Sequence, residues 1–299
     1  MPCSSLSYQG GPGRRCDAYG LELGRAKLPG GTDTLLHDAC CRELFGICSE
    51  AGLPVVTEPA TLFSSLLSPS VASAGGIVPD ATVEVALPAV GDTRRGANPG
   101  RSGRRRDGPR VPRAYLFDGK TLHGGGGLYF SARARDEQSG AVEERAHQVP
   151  LEYRRAARAL DLAHSPAGTS PILHRLATFT PVRALVFGHF GECSADVYEL
   201  LDAAAERAAS RRWRALGSRT EAEARGYFVG AFRRRFGVHV TREFARHRLR
   251  RLPYVGATRA AVQADAARRR AGGGVPDPGP GMRLDDFYVY QAHLPHAGA

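Results

Sequence analysis

The order of apolar and polar positions predicts a helix and three strands in the first half of the chain. TDTLLHDACCRELFGICSEAG (32–52) carries apolar residues three and four positions apart, a spacing typical of a helix that ends at Gly52. LPVVTEP (53–59) reads as a short strand closed by its last proline. ATVEVAL, which starts at residue 81, alternates apolar and polar residues and predicts a strand with one buried face. RAYLFDGKTLH (113–123) begins with an apolar run and is predicted to pair with that strand.

The second half of the chain predicts three more helices and one more strand. A helix is expected over about 141–163, with Pro150 breaking or kinking it. TPVRALVFGHFGE (180–192) is typical of a buried strand, and residues 194–215 have the period of an amphipathic helix. Residues 219–252 interleave apolar and arginine positions, which predicts a basic helical segment. Two segments are interpreted as loops: 60–76, and 124–140 with room for a short strand at 128–133.

This order of elements predicts an α/β (α+β) fold, in which a small mixed sheet is flanked by helices. A flexible segment (1–31) precedes an α/β domain (32–205), and an arginine-rich insertion (91–112) separates two paired strands of that domain. A basic helical extension (206–269) and a flexible tail rich in Gly and Pro (270–299) follow.

The positive charge of the chain indicates an anionic binding partner. The formal net charge is +11, and it rests almost entirely on arginine. Guanidinium groups match phosphate oxygens, and a basic surface attracts polyanions, so nucleic acid is the expected partner. Two other interpretations stay open. Arg, Ala, Gly and Pro are all abundant, as in a chain encoded by GC-rich DNA, and basic proteins also bind acidic proteins.

Composition also bears on location. No segment approaches the uninterrupted apolar span of about 20 residues that a membrane helix needs, and the N-terminus lacks an apolar signal core. The six cysteines form no CxxC pair, so neither a disulfide framework nor a zinc finger is indicated. We therefore expect reduced thiols in an intracellular, nuclear protein without a membrane segment.

Two acidic residues and a lysine fall at the ends of neighbouring predicted strands. Asp80 follows Pro79 at the start of one strand, and Asp118, Gly119 and Lys120 close the next. In a hairpin the register can place Asp80 beside Asp118, while Asp118 and Lys120 share a face from which Gly119 turns away. Two carboxylates and the carbonyl of Gly119 make an oxygen-lined site suited to Mg²⁺ or Mn²⁺, and Lys120 can orient a water or stabilise transition-state charge beside it. An ordinary ion pair between Asp118 and Lys120 is the alternative.

With the order of the predicted elements, Pro79-Asp80 and Asp118-Gly119-Lys120 resemble the PD-(D/E)XK nuclease superfamily, which has a restriction-endonuclease-like αβββαβ core. Within it, the pattern is most similar to the restriction-like endonucleases of site-specific non-LTR retrotransposons, because His37-Asp38 matches a His-Asp or His-Asn pair on the first helix there. The resemblance covers about residues 30–205. The basic C-terminal third lies outside it.

The resemblance implies a Mg²⁺-dependent DNA endonuclease derived from a mobile element, which leaves 5′-phosphate ends and needs no small-molecule cofactor. It assigns the metal to Asp80, Asp118 and the Gly119 carbonyl, and it gives Lys120 and His37 catalytic roles. The gap between Asp80 and Asp118 is longer than usual in that group, which the insertion explains.

Other features of the pattern remain open. The first-helix acid of the superfamily has four candidates: Asp38, Glu43, Glu50 and Glu58. Gln148 and Tyr153 are loosely similar to a Gln…Tyr element of exonuclease-like members, but their spacing differs and a proline lies between them. His37, Cys40 and Cys41 have helical spacing that could bring metal ligands onto one face, although cysteine at such positions is usually a small core residue.

The arginines supply the candidate nucleic-acid contacts. Those in the insertion and in the last basic segment are Arg104, Arg105, Arg106, Arg233, Arg234 and Arg235. Solvated arginines on an insertion or an amphipathic helix produce the same pattern. The functional alternatives are therefore a non-catalytic nucleic-acid-binding protein with a decayed nuclease fold, and a basic protein-interaction module.

Overall fold

The structure is a computed structural model of the chain. It describes residues 32–87, 113–122, 134–179, 181–188 and 191–250, together with residue 264. The predicted flexible segments (1–31 and 270–299) and the arginine-rich insertion (91–112) lie outside the described residues.

Six α-helices, four strands and one 3-10 turn are formed by the described residues. In chain order they are α1 (Thr32–Ala51), β1 (Val55–Thr57), the 3-10 turn (Ala60–Phe63), α2 (Pro69–Ala74), β2 (Ala81–Val85), β3 (Arg113–Leu122), α3 (Ala134–His164), α4 (Pro171–Ala177), β4 (Arg183–Gly188), α5 (Ala195–Arg212) and α6 (Glu221–Leu249).

The four strands form one mixed sheet in the order β1-β2-β3-β4. β2 is antiparallel to both β1 and β3, whereas β4 is parallel to β3. Parallel neighbours need a long crossover, and α3 and α4 supply it. The chain therefore has a mixed α/β fold, with a small four-stranded sheet flanked by helices.

Alternating side chains of β3 divide the core between the two faces of the sheet. Tyr115 and Phe117 point towards α1, α5 and α6, while Leu116 packs among residues of α3 and α4. Because the side-chain period of a strand is two, Asp118 follows Leu116 onto the α3 face, and Gly119 follows Phe117 onto the α1 face. Both faces of β3 are thus covered by helices at the point where the polar residues begin.

The main predicted elements are confirmed to within a few residues, but two loop interpretations are wrong and the break considered at Pro150 is absent. The segment 60–76 is not all loop, because it contains the 3-10 turn and α2. Residues 134–140 are helical and form the start of α3. Pro150 does not break α3. Its missing amide costs about 3 kcal/mol, and the buried stripe of Val142, Val149, Tyr153 and Ala157 along α3 offsets that cost by packing on the sheet.

α4 is not among the predicted helices, and its N-terminus is capped by a residue of another helix. Ser170 is the N-cap but makes no side-chain cap hydrogen bond. The buried carboxylate of Asp161 in α3 instead accepts hydrogen bonds from the amides of Ile172 and Leu173, each at 3.0 Å. A cap of this kind satisfies the free amides of a first helical turn and is invisible to a local pattern.

The basic helix α6 packs into the same core as the sheet. Its apolar residues follow a four-residue spacing, and Phe228, Phe232, Phe236, Val240 and Phe244 are all buried in the cluster that includes α1 and α5. Phe236 meets Phe187 of β4 edge to face, with ring centroids 5.7 Å apart. The predicted domain boundary between residues 205 and 206 falls inside α5. Among the described helices, none is long and apolar enough to cross a membrane.

We predict that Phe236→Ala lowers the free energy of unfolding by about 3–5 kcal/mol, because it leaves a cavity against Phe187 in the centre of the core. Urea denaturation measures the loss. Val238→Ala is the matched control, since this α6 side chain is exposed and its truncation changes stability by no more than about 0.5 kcal/mol. Equal effects of the two substitutions would contradict the packing of α6 against the sheet.

Candidate active site

Backbone hydrogen bonds fix Asp80 at the entrance to β2. Its amide donates to the carbonyl of Phe117 at 3.0 Å, and its own carbonyl accepts from the amide of Glu58 at 2.7 Å. The β2–β3 pairing brings Ala81 opposite Phe117. One further step of this antiparallel register brings Asp80 opposite Asp118, as the sequence predicts.

Asp118 is buried, with 5% of its surface exposed. The hydroxyl of Tyr153 donates to its Oδ1 at 2.8 Å, and Nζ of Lys120 lies 2.6 Å from its Oδ2. Oδ2 is shielded from water and accepts no hydrogen bond of regular geometry, so the Lys120 contact is an ion pair without good alignment. Lys120 keeps about a third of its side chain exposed and thus links the buried carboxylate to the surface.

On the α1 face of β3, opposite the face that holds Asp118, the Gly119 peptide contacts both Asp80 and His37. Its amide donates to Oδ2 of Asp80 at 2.5 Å, and its carbonyl oxygen lies 3.2 Å from Nε2 of His37. A Cβ on Gly119 would lie 2.5 Å from Sγ of Cys41 and 3.0 Å from Nε2 of His37. Only glycine allows this close approach of α1 to the strand.

α1 brings His37 to the start of β2, where Asp80 lies. Nε2 of His37 lies 3.2 Å from Oδ2 of Asp80, and Nδ1 lies 3.0 Å from Oδ1 of Asp38. The imidazole therefore bridges two carboxylates, and about a quarter of it remains exposed. The structure brings His37 together with Asp80 and Gly119, as the matched pair on the first helix suggested.

Among the four acidic candidates for the first helix, Asp38 contacts the site, and it does so through His37. Glu43 and Glu50 point to α6, where both pair with Arg235 at 2.6 Å. Glu58 contributes its backbone amide to Asp80.

Charge and burial shift the pKa values of several groups at the site, and burial raises that of the Cys41 thiol. The hydrogen bond to Asp80 raises the pKa of His37 to about 12, which keeps the ring protonated in this arrangement. Burial raises the pKa of Asp118, and nearby Asp80 adds to that rise, while Lys120 and Tyr153 oppose it. Burial also raises the pKa of Tyr153, so its hydroxyl stays protonated and can donate. Each of the two carboxylates is thus paired with a positive group, Asp80 with His37 and Asp118 with Lys120.

Tyr153 is the site residue that sequence reasoning identified least clearly. The helical segment containing Gln148 and Tyr153 looked loosely similar to a known element, but the proline between them argued against it. Because α3 continues through Pro150, Tyr153 reaches Asp118. Gln148 lies elsewhere and accepts from Arg145 at 3.2 Å. Neither the helical continuity nor the contact is encoded in local spacing.

The candidate nucleic-acid arginines of α6 have different surroundings. Arg233 makes a two-nitrogen contact with Asp202 of α5, and Arg235 is held by Glu43 and Glu50 of α1. Arg234 is exposed and has no ion-pair partner within the described residues. Arg104, Arg105 and Arg106 lie outside the described residues. The three positions of α6 therefore differ in how free their guanidinium groups are.

Comparison of the chain with models of known protein families, with curated proteins and with solved structures found no match.

We predict that Gly119→Ala destabilises the protein by about 1–3 kcal/mol, the usual cost of forcing an extra carbon into a packed site. Gly46→Ala is the control, because a Cβ at this helical position meets open space and adds about 0.4–1 kcal/mol of stability. Chemical denaturation measures both. Adding Cys41→Ala to Gly119→Ala should recover part of the loss, and an additive double mutant would show that the thiol is not the obstacle.

Proposed function

We propose that the chain is a metal-dependent nuclease that hydrolyses DNA phosphodiester bonds, built on a restriction-endonuclease-like core. One observation carries the proposal. Asp80 lies opposite Asp118 on two paired strands, the Gly119 amide donates to Asp80, and Lys120 contacts Asp118.

The order of elements supports this assignment. Apart from the 3-10 turn and α2 between β1 and β2, and α4 before β4, the order is a helix, three antiparallel strands, a second long helix and a parallel strand, namely α1, β1, β2, β3, α3 and β4. This is the αβββαβ order expected for the superfamily that the motif resembles. The helix α1 also lies where its His-Asp pair reaches the strand ends.

The donor atoms fit a hard divalent cation. Asp80, Asp118 and the Gly119 carbonyl supply oxygens, which Mg²⁺ and Mn²⁺ prefer. Oδ2 of Asp118 is a buried oxygen without a regular hydrogen bond, which is the kind of atom a metal ion satisfies. When bound, such an ion would stabilise charge on a phosphoryl oxygen and lower the pKa of a coordinated water.

Lys120 and His37 provide the remaining chemistry. The ammonium of Lys120 is held by Asp118 and is partly exposed, so it can orient an attacking water or stabilise negative charge on the reacting phosphate. His37 holds Asp80 in place through Nε2 and is itself oriented by Asp38. Lys120 therefore acts on Asp118 and on the reacting phosphate, and His37 acts on Asp80.

We predict that Asp118→Asn abolishes Mg²⁺-dependent DNA cleavage, with a loss of at least about 100-fold, because the amide keeps the shape of the carboxylate and removes its charge. Nicking of a supercoiled plasmid measures activity, and a filter-binding assay in EDTA measures affinity, which should be retained. Glu84→Gln is the control, an equivalent change at an exposed position of β2.

A non-catalytic nucleic-acid-binding protein is the second candidate, and one observation favours it. Both oxygens of Asp118 already contact side chains of the protein, namely Tyr153 and Lys120. The same assays separate the two functions. Salt-sensitive binding by the wild type without any Mg²⁺-dependent nicking would replace the nuclease with the binding protein.

We predict that Arg234→Gln reduces the slope of log affinity for duplex DNA against log salt concentration by about 0.9, the value of one lost phosphate contact. The control is the double variant Arg233→Gln with Asp202→Asn, which removes an ion pair at constant net charge and should leave the slope unchanged. Fluorescence anisotropy over a salt series supplies the measurement. An unchanged slope for Arg234→Gln would exclude this residue from the interface.

A further inference from the structure

One cluster at the site has a chemistry that a magnesium nuclease does not need. His37, Cys41 and Asp80 bring a nitrogen, a sulfur and an oxygen within 4.8 Å of one another. The thiol comes from the turn of α1 that follows His37, and it faces the carboxylate from β2 across Gly119. Magnesium does not use sulfur ligands, whereas zinc and similar ions bind thiolate, imidazole and carboxylate.

Two of these distances, from Nε2 of His37 to Oδ2 of Asp80 and to Sγ of Cys41, match edges of a tetrahedral zinc site. Zn–N, Zn–O and Zn–S bonds of about 2.0–2.3 Å imply N···O edges of about 3.4 Å and N···S edges of about 3.6 Å. Nε2 of His37 lies 3.2 Å from Oδ2 of Asp80 and 3.7 Å from Sγ of Cys41. The Gly119 carbonyl oxygen, also 3.2 Å from Nε2, is placed as a fourth donor.

Neighbouring groups hold two of these ligand side chains in place by hydrogen bonds. Asp38 accepts from Nδ1 of His37 at 3.0 Å, an arrangement that presents the lone pair of Nε2 to a metal ion. The amide of Gly119 holds Oδ2 of Asp80. A bare Nε2 facing two oxygens is electrostatically unfavourable unless a cation, either a proton or a metal ion, lies between them. His37 and Asp80 are each about a quarter exposed, so an ion can enter from solvent.

We propose that His37, Cys41, Asp80 and the Gly119 carbonyl form a binding site for a zinc-class transition metal ion. Coordination uses the thiolate of Cys41 and the unprotonated Nε2 of His37, so the protons on these atoms pass to the buffer as the metal bonds form. The site shares Asp80 and Gly119 with the proposed nuclease centre, but its occupancy does not depend on whether the chain cleaves DNA.

Cobalt substitution tests the proposal on the full chain. Metal-free protein is titrated with Co²⁺, whose tetrahedral thiolate complexes absorb strongly in the near ultraviolet, and bound Co²⁺ is then displaced with Zn²⁺. We expect one Co²⁺ per chain with this charge-transfer band. Cys41→Ala should lose the band and bind Zn²⁺ at least tenfold more weakly, and Asp38→Asn should keep the band but weaken binding by about 10–100-fold.

Cys48→Ala is the matched control, since this cysteine is buried in the same helix away from the cluster and should retain the band. Thermal melts check that each variant folds, and His37→Gln provides a second ligand variant. Absence of the band in the wild type, or its persistence in Cys41→Ala, would overturn the proposal. Plasmid nicking is scored separately, so failure of this metal site and failure of the nuclease assignment give different results.

Discussion

The register of β2 on β3 is the constraint on which the site depends. Once Ala81 lies opposite Phe117, the next register position places Asp80 opposite Asp118. The backbone amide of Gly119 then donates a hydrogen bond to the Asp80 carboxylate. A shift of one residue would turn Ala81, Val83 and Val85 out of the core, so burial of these side chains fixes the register. Packing energy thus holds two like charges near each other, and the surrounding donors have to compensate.

That compensation comes from both faces of the sheet. On one face, Tyr153 and Lys120 contact Asp118, and on the other His37 and the Gly119 amide contact Asp80. Groups that are held so close in a poorly solvated place interact more strongly than they would in water. Under the two proposals, Asp80 and the Gly119 carbonyl would serve either a hard cation together with Asp118 or a zinc-class ion together with His37 and Cys41.

α6 shows how a basic segment can be structural and still carry charge. Its buried phenylalanines belong to the core, and two of its arginines, Arg233 and Arg235, pair with acidic residues of α5 and α1. Ion pairs of this exposed kind contribute little stability, so the phenylalanine face accounts for the packing of the helix. Net charge counted from composition overstates the number of guanidinium groups that are free for a partner, since those of Arg233 and Arg235 are engaged.

The sequence by itself determined the alternating strands, the amphipathic helices and the meeting of Asp80 with the Asp118 segment, because these follow from periods of two and 3.6 residues and from chain order. Only the tertiary structure decided the partners that arrive from distant elements: Tyr153 across an unbroken α3, Asp161 at the start of α4, and Cys41 beside Asp80. Local spacing records which face a residue occupies within its own element. It does not record how closely two packed elements approach, and at Gly119 that distance depends on a missing side chain.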